Sequence, residues 1–127
     1  MTRVARYHGV RPPFALAIAW QESGWQQDEI SSARAIGIMQ VLPSTGRWLS
    51  QLVGFHLDIW HTRGNVRAGV IYLRFLEDHT PHHRRAIAGY YQGLASVRAH
   101  GMYHSTRRYV ASVRALERSF RAGHYPL

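Results

Sequence analysis

Proline and glycine divide this chain into intervals that suit helices and little else. Pro12 and Pro13 stand at the start of the apolar run 14–23, and Gly24 follows it. Proline fits the first turn of a helix, where its missing N–H would have no partner. Glycine accepts the left-handed conformation that closes a helix. Pro43 and Ser44 open a second interval that runs to Val53 and stops at Gly54. Asn65 reads as the N-cap of a third helix over 66–79, with Val66, Val70, Leu73 and Leu76 at helical spacing. Further helices are expected over 84–91, stopped near Gly93, over 94–100 as a short turn, and over 106–121. In the last, Tyr109, Val110, Val113 and Leu116 share a face. Residues 26–42 and 55–64 read as loop and connector. No segment shows strong period-two alternation, so the expected class is all-α, in one domain.

Length and composition narrow the field. The 127 residues suffice for one domain with its own core and are too few for two of normal size. A hydrophobic fraction of 46% is that of a folding chain. The absence of cysteine excludes disulfides and thiolate metal sites. No apolar run reaches the roughly 18 residues of a membrane span. The start, "MTRVARYHGVRPP", lacks the apolar core of a signal peptide, and "RYHGV" already reads as domain sequence. A domain cut from a longer exported protein and a whole cytoplasmic protein both fit that start.

The formal charge is +9, from 16 basic and 7 acidic residues, and every basic residue is arginine. Genomic base composition accounts for the missing lysine. The net charge suits an anionic partner such as nucleic acid, cell wall or lipid surface. The arginines are scattered along the chain (Arg3, Arg34, Arg63, Arg98, Arg121) without a basic block, which argues against nucleic acid. The histidines form no HExxH pattern, and His82-His83 lacks ligand spacing, so neither metal nor cofactor is expected.

One acid does not fit a surface role. Glu22 stands in "AIAWQESGW" (17–25), at the end of the apolar helix and between Trp20 and Trp25. On a helical wheel it shares a face with Phe14, Ala15, Ile18 and Ala19. Burial and the negative end of the helix dipole both disfavour its ionisation, and a general acid needs a raised pKa at neutral pH. The plain alternative is a buried glutamate paired with an arginine. Asp28, Glu29, Asp58, Glu77, Asp78 and Glu117 lie in polar stretches, at helix ends or beside arginines, and read as solvated surface charges.

Downstream, "AIGIMQVLPSTG" (35–46) places Gly37, Met39 and Gln40 before a proline-started helix, and "IAGYYQG" (87–93) sets Tyr90 and Tyr91 at a helix end. Singly, each has a packing explanation; in this order after "QESGW" they are specific. Together with Ser31, "NVRAGVIYL" (65–73) and "TRRYVASV" (106–113), they make the chain resemble the soluble lytic transglycosylase domain, related to goose-type lysozyme, over about residues 5–120. The wording of "AIAWQESGW" and "GYYQGLASVR" resembles actinobacterial members.

The resemblance implies a lysozyme-like helical domain with a groove for glycan strands. It implies cleavage of the β-1,4 bond between N-acetylmuramic acid and N-acetylglucosamine in peptidoglycan, leaving a 1,6-anhydro sugar. Glu22 would be the single acid and base, Ser31 would line the site, and Gln40 would contact substrate. Tyr90 would hydrogen-bond Glu22, and Tyr109 would support the site. The setting implied is extracytoplasmic: a monomer, with residues 1–127 excised from a longer exported protein and anionic wall polymers as further partners. Arg34 stands where that family usually has glycine, Leu42 where methionine is common, Tyr91 where asparagine follows the tyrosine, and Ser105 where a second glutamate is frequent.

Three other readings compete. A muramidase on the same fold needs a second group to activate water, with Asp28 and Glu29 as candidates. A catalytically idle glycan-binding module has no need of Glu22, Gln40 and Tyr90 together. A basic helical nucleic-acid binder gives Glu22 no role.

Overall fold

The computed structural model describes residues 1–126. It holds α1 (Thr2–Tyr7), α2 (Pro12–Ser23), α3 (Pro43–Val53), α4 (Thr62–Asp78), α5 (His83–Gln92), α6 (Leu94–His100) and α7 (His104–Arg121). No strand is present among the described residues. Isolated bridges join Ile30 to Ile36 and Ile36 to Val41 within the loop after α2. The class is all-α, as the punctuation of the sequence predicts.

The most extensive helix pair is α2 with α7. On α2, Phe14, Ala15, Ala17, Ile18 and Ala19 are all buried, so the buried face is wider than a single stripe, and Leu16 and Trp20 are partly buried beside it. The alanines of α2 let neighbours approach closely. On α4, Val66, Val70, Leu73 and Leu76 are buried at the expected spacing. The starts and stops of α2 and α3 also fall as the residues dictate. Gly24 (φ 62°) and Gly54 (φ 82°) take the left-handed conformation, and their N–H groups donate to Trp20 O and Ser50 O.

Local pattern and structure part company at three places. The six-residue helix α1 buries one side chain, Ala5, and is too short to display a period. Asn65 is not an N-cap: α4 already begins at Thr62, with His61 in the capping position. Asn65 lies inside the helix, fully buried, and its amide binds loop backbone. It accepts from Met39 N and donates to Ile36 O and Ile59 O, each at 2.8 Å. These bonds satisfy polar groups that burial would otherwise leave unpaired.

The third difference is Glu117, which is no surface charge. It is 4% exposed and accepts from His83 Nε2 at 2.8 Å, while His83 Nδ1 lies 2.5 Å from Glu77 Oε1. Burial alone lowers the His83 pKa, but the hydrogen bonds and charges of Glu117 and Glu77 outweigh it and raise it to about 9. The imidazole is therefore a cation at neutral pH, and it joins α4, α5 and α7. Phe14 of α2 packs edge-on against the same ring at 4.4 Å. Neighbouring Arg118 is exposed, whereas Glu117 falls in register with buried Val110, Val113 and Phe120.

Candidate active site

The end of α2 fixes the position of Glu22. Gly24 stops the helix in the left-handed region, and Trp25 follows at φ 63°. The Ser23 hydroxyl donates to Ile38 O at 2.7 Å and accepts from Gln26 N at 3.1 Å. Trp25 Nε1 reaches back to Leu16 O at 3.0 Å. The last turn of α2 is thus bonded to the 26–42 loop rather than fraying into solvent.

That loop is itself built from backbone bonds. Gln27 accepts from Ile38 N at 3.0 Å and donates to Ile59 O at 3.2 Å. Gly37 sits at φ 78°, wedged so tightly that a Cβ would meet Asn65 Nδ2 at 2.5 Å and Gln27 Oε1 at 2.6 Å. Only glycine fits there. Met39 is fully buried and packs on α4 where Gly69 leaves room; a Cβ at that position would lie 2.5 Å from Met39 Cβ. Gly37, Met39 and the following Gln40 therefore have distinct steric duties in one turn.

Two tyrosines from different helices meet this assembly. Tyr109 of α7 donates its hydroxyl to Glu22 Oε2 at 2.5 Å. Tyr90 of α5 donates to Met39 O at 2.6 Å. The expected bond from Tyr90 to Glu22 is thus made by Tyr109, because the buried Met39 carbonyl takes the Tyr90 donor. Tyr91 stacks on Tyr109, with ring centroids 4.6 Å apart at 27°, and remains 47% exposed. A cleft of about 240 Å³ opens beside them, walled by Gln40, Leu42, Tyr72, Tyr90 and Tyr91. Trp48 packs edge-on against Tyr72 at 6.0 Å and extends the aromatic surface.

The electrostatics set Glu22 apart. Burial raises its pKa, and the Tyr109 hydrogen bond works in the opposite direction without cancelling the rise. Burial, followed by the charge of Glu22, pushes Tyr90 and Tyr109 well above the ordinary phenol range, so both remain neutral donors. Among the described residues no Arg or His forms an ion pair with Glu22. The alternative of an arginine-paired buried glutamate is therefore not what this fold contains. A carboxyl group so placed holds its proton more firmly than an exposed one and is suited to releasing it to a bound partner.

The remaining sequence candidates serve the loop. Ser31 Oγ accepts from Ala35 N at 3.0 Å and closes the 31–35 turn, in which Arg34 stands at φ 67°. That left-handed conformation is one that glycine adopts far more readily than arginine. Gln40, at φ 51°, donates through Nε2 to Gly37 O at 2.9 Å and Glu29 O at 3.1 Å while lining the cleft. Glu22, Tyr90, Tyr109 and Gln40 are thus brought to one region, and Ser31 to its supporting loop. Sequence reasoning misread Asn65 as a cap and left the role of Tyr91 open. Asn65 carried a signal, a single amide heading the buried face of α4; the stacking of Tyr91 on a residue of another helix carried none.

Residues 2–111 match the family model described as the transglycosylase SLT domain. A Haemophilus influenzae protein provisionally named a soluble lytic murein transglycosylase is 36% identical over 87 residues, covering 65% of this chain and 15% of that protein. The lytic transglycosylase Slt of Pseudomonas aeruginosa, solved as an inactive mutant, superposes with a TM-score of 0.85 at 24% identity, over 98% of this chain and 24% of that one. The 70 kDa soluble lytic transglycosylase of Escherichia coli gives a TM-score of 0.83 at 22% identity, over 98% of this chain and 25% of that one. The chain spans about a quarter or less of the length of these proteins. At such identities the structural likeness speaks for the fold, which is lysozyme-like.

Proposed function

The chain belongs to the transglycosylase SLT domain family, and on that premise we propose that it is a peptidoglycan lytic transglycosylase with Glu22 as its single acid and base. One observation carries the reading. The Glu22 carboxyl is partly buried, raised in pKa, bonded by the neutral Tyr109 phenol and in no ion pair among the described residues, and Tyr109 in turn stacks on Tyr91, which lines the aromatic-walled cleft.

In this reading Tyr109 holds Oε2, which leaves Oε1 to carry the proton. Glu22 donates that proton to the oxygen bridging N-acetylmuramic acid and N-acetylglucosamine as the C1–O bond breaks. The positive charge developing at C1 is assisted by the sugar's own N-acetyl group. Glu22, now a carboxylate, removes the proton from the C6 hydroxyl, whose oxygen closes on C1 to give the 1,6-anhydro sugar. Protons balance, and the acid returns to its starting form. Because the nucleophile is part of the same molecule, its effective molarity replaces an activated water, and no second carboxylate is required.

The other roles follow. Gln40 and Ser31 hold the loop that forms one wall, with Gln40 offered to substrate. Tyr90 fixes that wall to α5, and Tyr109 supports Glu22 directly. Residues 1–127 act as the catalytic domain, working as a monomer in the extracytoplasmic cell envelope. The +9 charge supports attraction to carboxylates of peptide stems and to anionic wall polymers, with salt-sensitive activity.

The test is digestion of purified peptidoglycan by wild type and Glu22→Gln, with soluble products read by mass spectrometry. Anhydro-muramic ends are expected from the wild type, with turnover down by about 10³-fold in the variant. Reducing muramic ends would make the protein a hydrolase. Wild-type-like cleavage by Glu22→Gln would remove Glu22 from the mechanism.

A further inference from the structure

A second cavity, of about 500 Å³, lies on the other flank of α4. It is bordered by α1, by Val53 and Phe55 at the end of α3, and by Arg67, Ile71 and Arg74 of α4. It shares no lining residue with the cleft near Glu22. Ile71 faces this cavity and Tyr72 faces the other, so α4 is the partition between them.

The walls pair hydrocarbon with positive charge. Val4, Val53, Phe55 and Ile71 are apolar, Arg3, Arg67 and Arg74 are cationic, and no acid lines the space. Arg74 is already engaged, by Asp78 at 3.1 Å and by the Gly9 carbonyl at 3.2 Å. Arg67 forms no ion pair among the described residues, and its Nε–H is enclosed without a hydrogen-bond partner. Its guanidinium lies 6.0 Å from the centre of the Phe55 ring. His8 Nε2, in the same wall, is likewise buried and unpartnered. Burial and the neighbouring Arg67 charge hold the His8 pKa below its ordinary value, so this ring adds no second cation.

A guanidinium keeps its charge under all ordinary conditions, and its planar fork matches the two oxygens of a carboxylate. An enclosed, unmatched N–H of this kind gains most from an acceptor that is itself charged. Hydrocarbon walls in turn favour an apolar body behind that charge. The volume is within the range of small-molecule pockets and too large for a bare ion to fill.

We propose that this cavity binds a small apolar carboxylate. Arg67 anchors the carboxylate, Arg3 supplies a second cation from α1, and Val4, Val53, Phe55 and Ile71 hold the hydrocarbon. Binding needs a turn of the Arg67 side chain to present Nε–H, which breaks no existing hydrogen bond of that group. Two sources share this chemistry, a peptide ending in an apolar residue and a short fatty acid. The proposal does not depend on the role of Glu22, and its test does not use activity.

Calorimetric titration of the full chain with N-acetyl-leucine, hexanoate and hexanamide decides it. At least one carboxylate is expected to bind one per chain, and the neutral amide about tenfold or more weaker. Tighter binding of N-acetyl-leucine assigns a peptide end, and tighter binding of hexanoate a fatty acid. Arg67→Gln should weaken the carboxylate by about tenfold or more, Arg3→Gln by less, and Glu22→Gln not at all. Circular dichroism verifies the fold of each variant; if Arg67→Gln does not fold, exposed Arg3→Gln carries the test with an expected loss of about threefold. No saturable binding of either carboxylate, equal binding of the amide, or loss of binding in Glu22→Gln would overturn the proposal.

Discussion

Glu22 and Glu117 belong to the same pair of packed helices, α2 and α7, near opposite ends of their contact. Glu117 is on α7, where its partner His83 touches Phe14 at the start of α2. Glu22 is at the end of α2, where Tyr109 of α7 meets it. Both carboxyl groups are largely removed from water, yet they are treated in opposite ways. Glu117 faces a cation that is also held by Glu77. Glu22 is bonded by the neutral Tyr109 phenol, forms no ion pair among the described residues and keeps a raised pKa. One environment settles the charge and joins three helices; the other leaves the charge unfavourable and the proton available. The difference separates a glutamate that stabilises a fold from one poised to do chemistry.

The comparison breaks most severely at the structural end. Replacing His83→Gln leaves Glu77 and Glu117 without their shared cation, and urea unfolding should show a loss of about 3 kcal/mol. Activity per folded molecule should persist, since Glu22 keeps its own partners. The same cluster gives the wild type a pH signature. The His83 pKa is raised from 6.5 to about 9 on folding, so its stabilisation is complete below 6.5 and is lost as pH rises through about 9. A melting temperature that stays level across that interval, or falls equally in the variant, would contradict the assignment.

At the other end the expected effect is smaller and appears in rates. Tyr109→Phe removes the bond that lowers the Glu22 pKa, so that pKa should rise further. The basic limb of the kcat/KM profile should therefore move to higher pH, with kcat reduced about 10- to 100-fold by loss of positioning. A reduced rate with an unmoved limb would mean that Tyr109 only fills space. The smallest effect is a gain. Folding raises the Glu22 pKa above its ordinary 4.5, so its ionisation opposes folding increasingly as pH climbs from 4.5, and fully once pH is above the folded-state value. Glu22→Gln should be more stable than wild type at pH 7, with the advantage shrinking as pH falls towards 4.5 and absent well below it. Equal stability at both pH values would mean that Glu22 is not desolvated.

Much of this arrangement is readable along the chain because it is local. Glu22 ends an apolar helix within ten residues, and the Pro–Gly intervals place α2 and α3 by backbone preference alone. Glu117 was equally readable, since Val110, Val113, Glu117 and Phe120 keep one helical period; adjacency to Arg118 pointed the wrong way. What could not be read is which donor reaches which acceptor. Tyr90 and Tyr109 are chemically alike, come from different helices and approach the same spot. Only the three-dimensional position of the Met39 carbonyl assigns one to the loop and the other to Glu22. Asn65 shows the same ambiguity on a smaller scale. An asparagine near a helix start suits a cap and suits a buried clamp, and the choice rests on a loop some 26 residues away.

That clamp has a consequence in time as well as in space. Because one amide holds Met39 N, Ile36 O and Ile59 O together, the loop beside Glu22 cannot lift in stages. Opening it means parting several bonds at once and drawing Met39 out of its seat on Gly69. The Met39 amide should then exchange with solvent deuterium about as slowly as the core of α4, far more slowly than the exposed 31–35 turn in the same loop. On this account the wall of the cleft is standing before any ligand arrives.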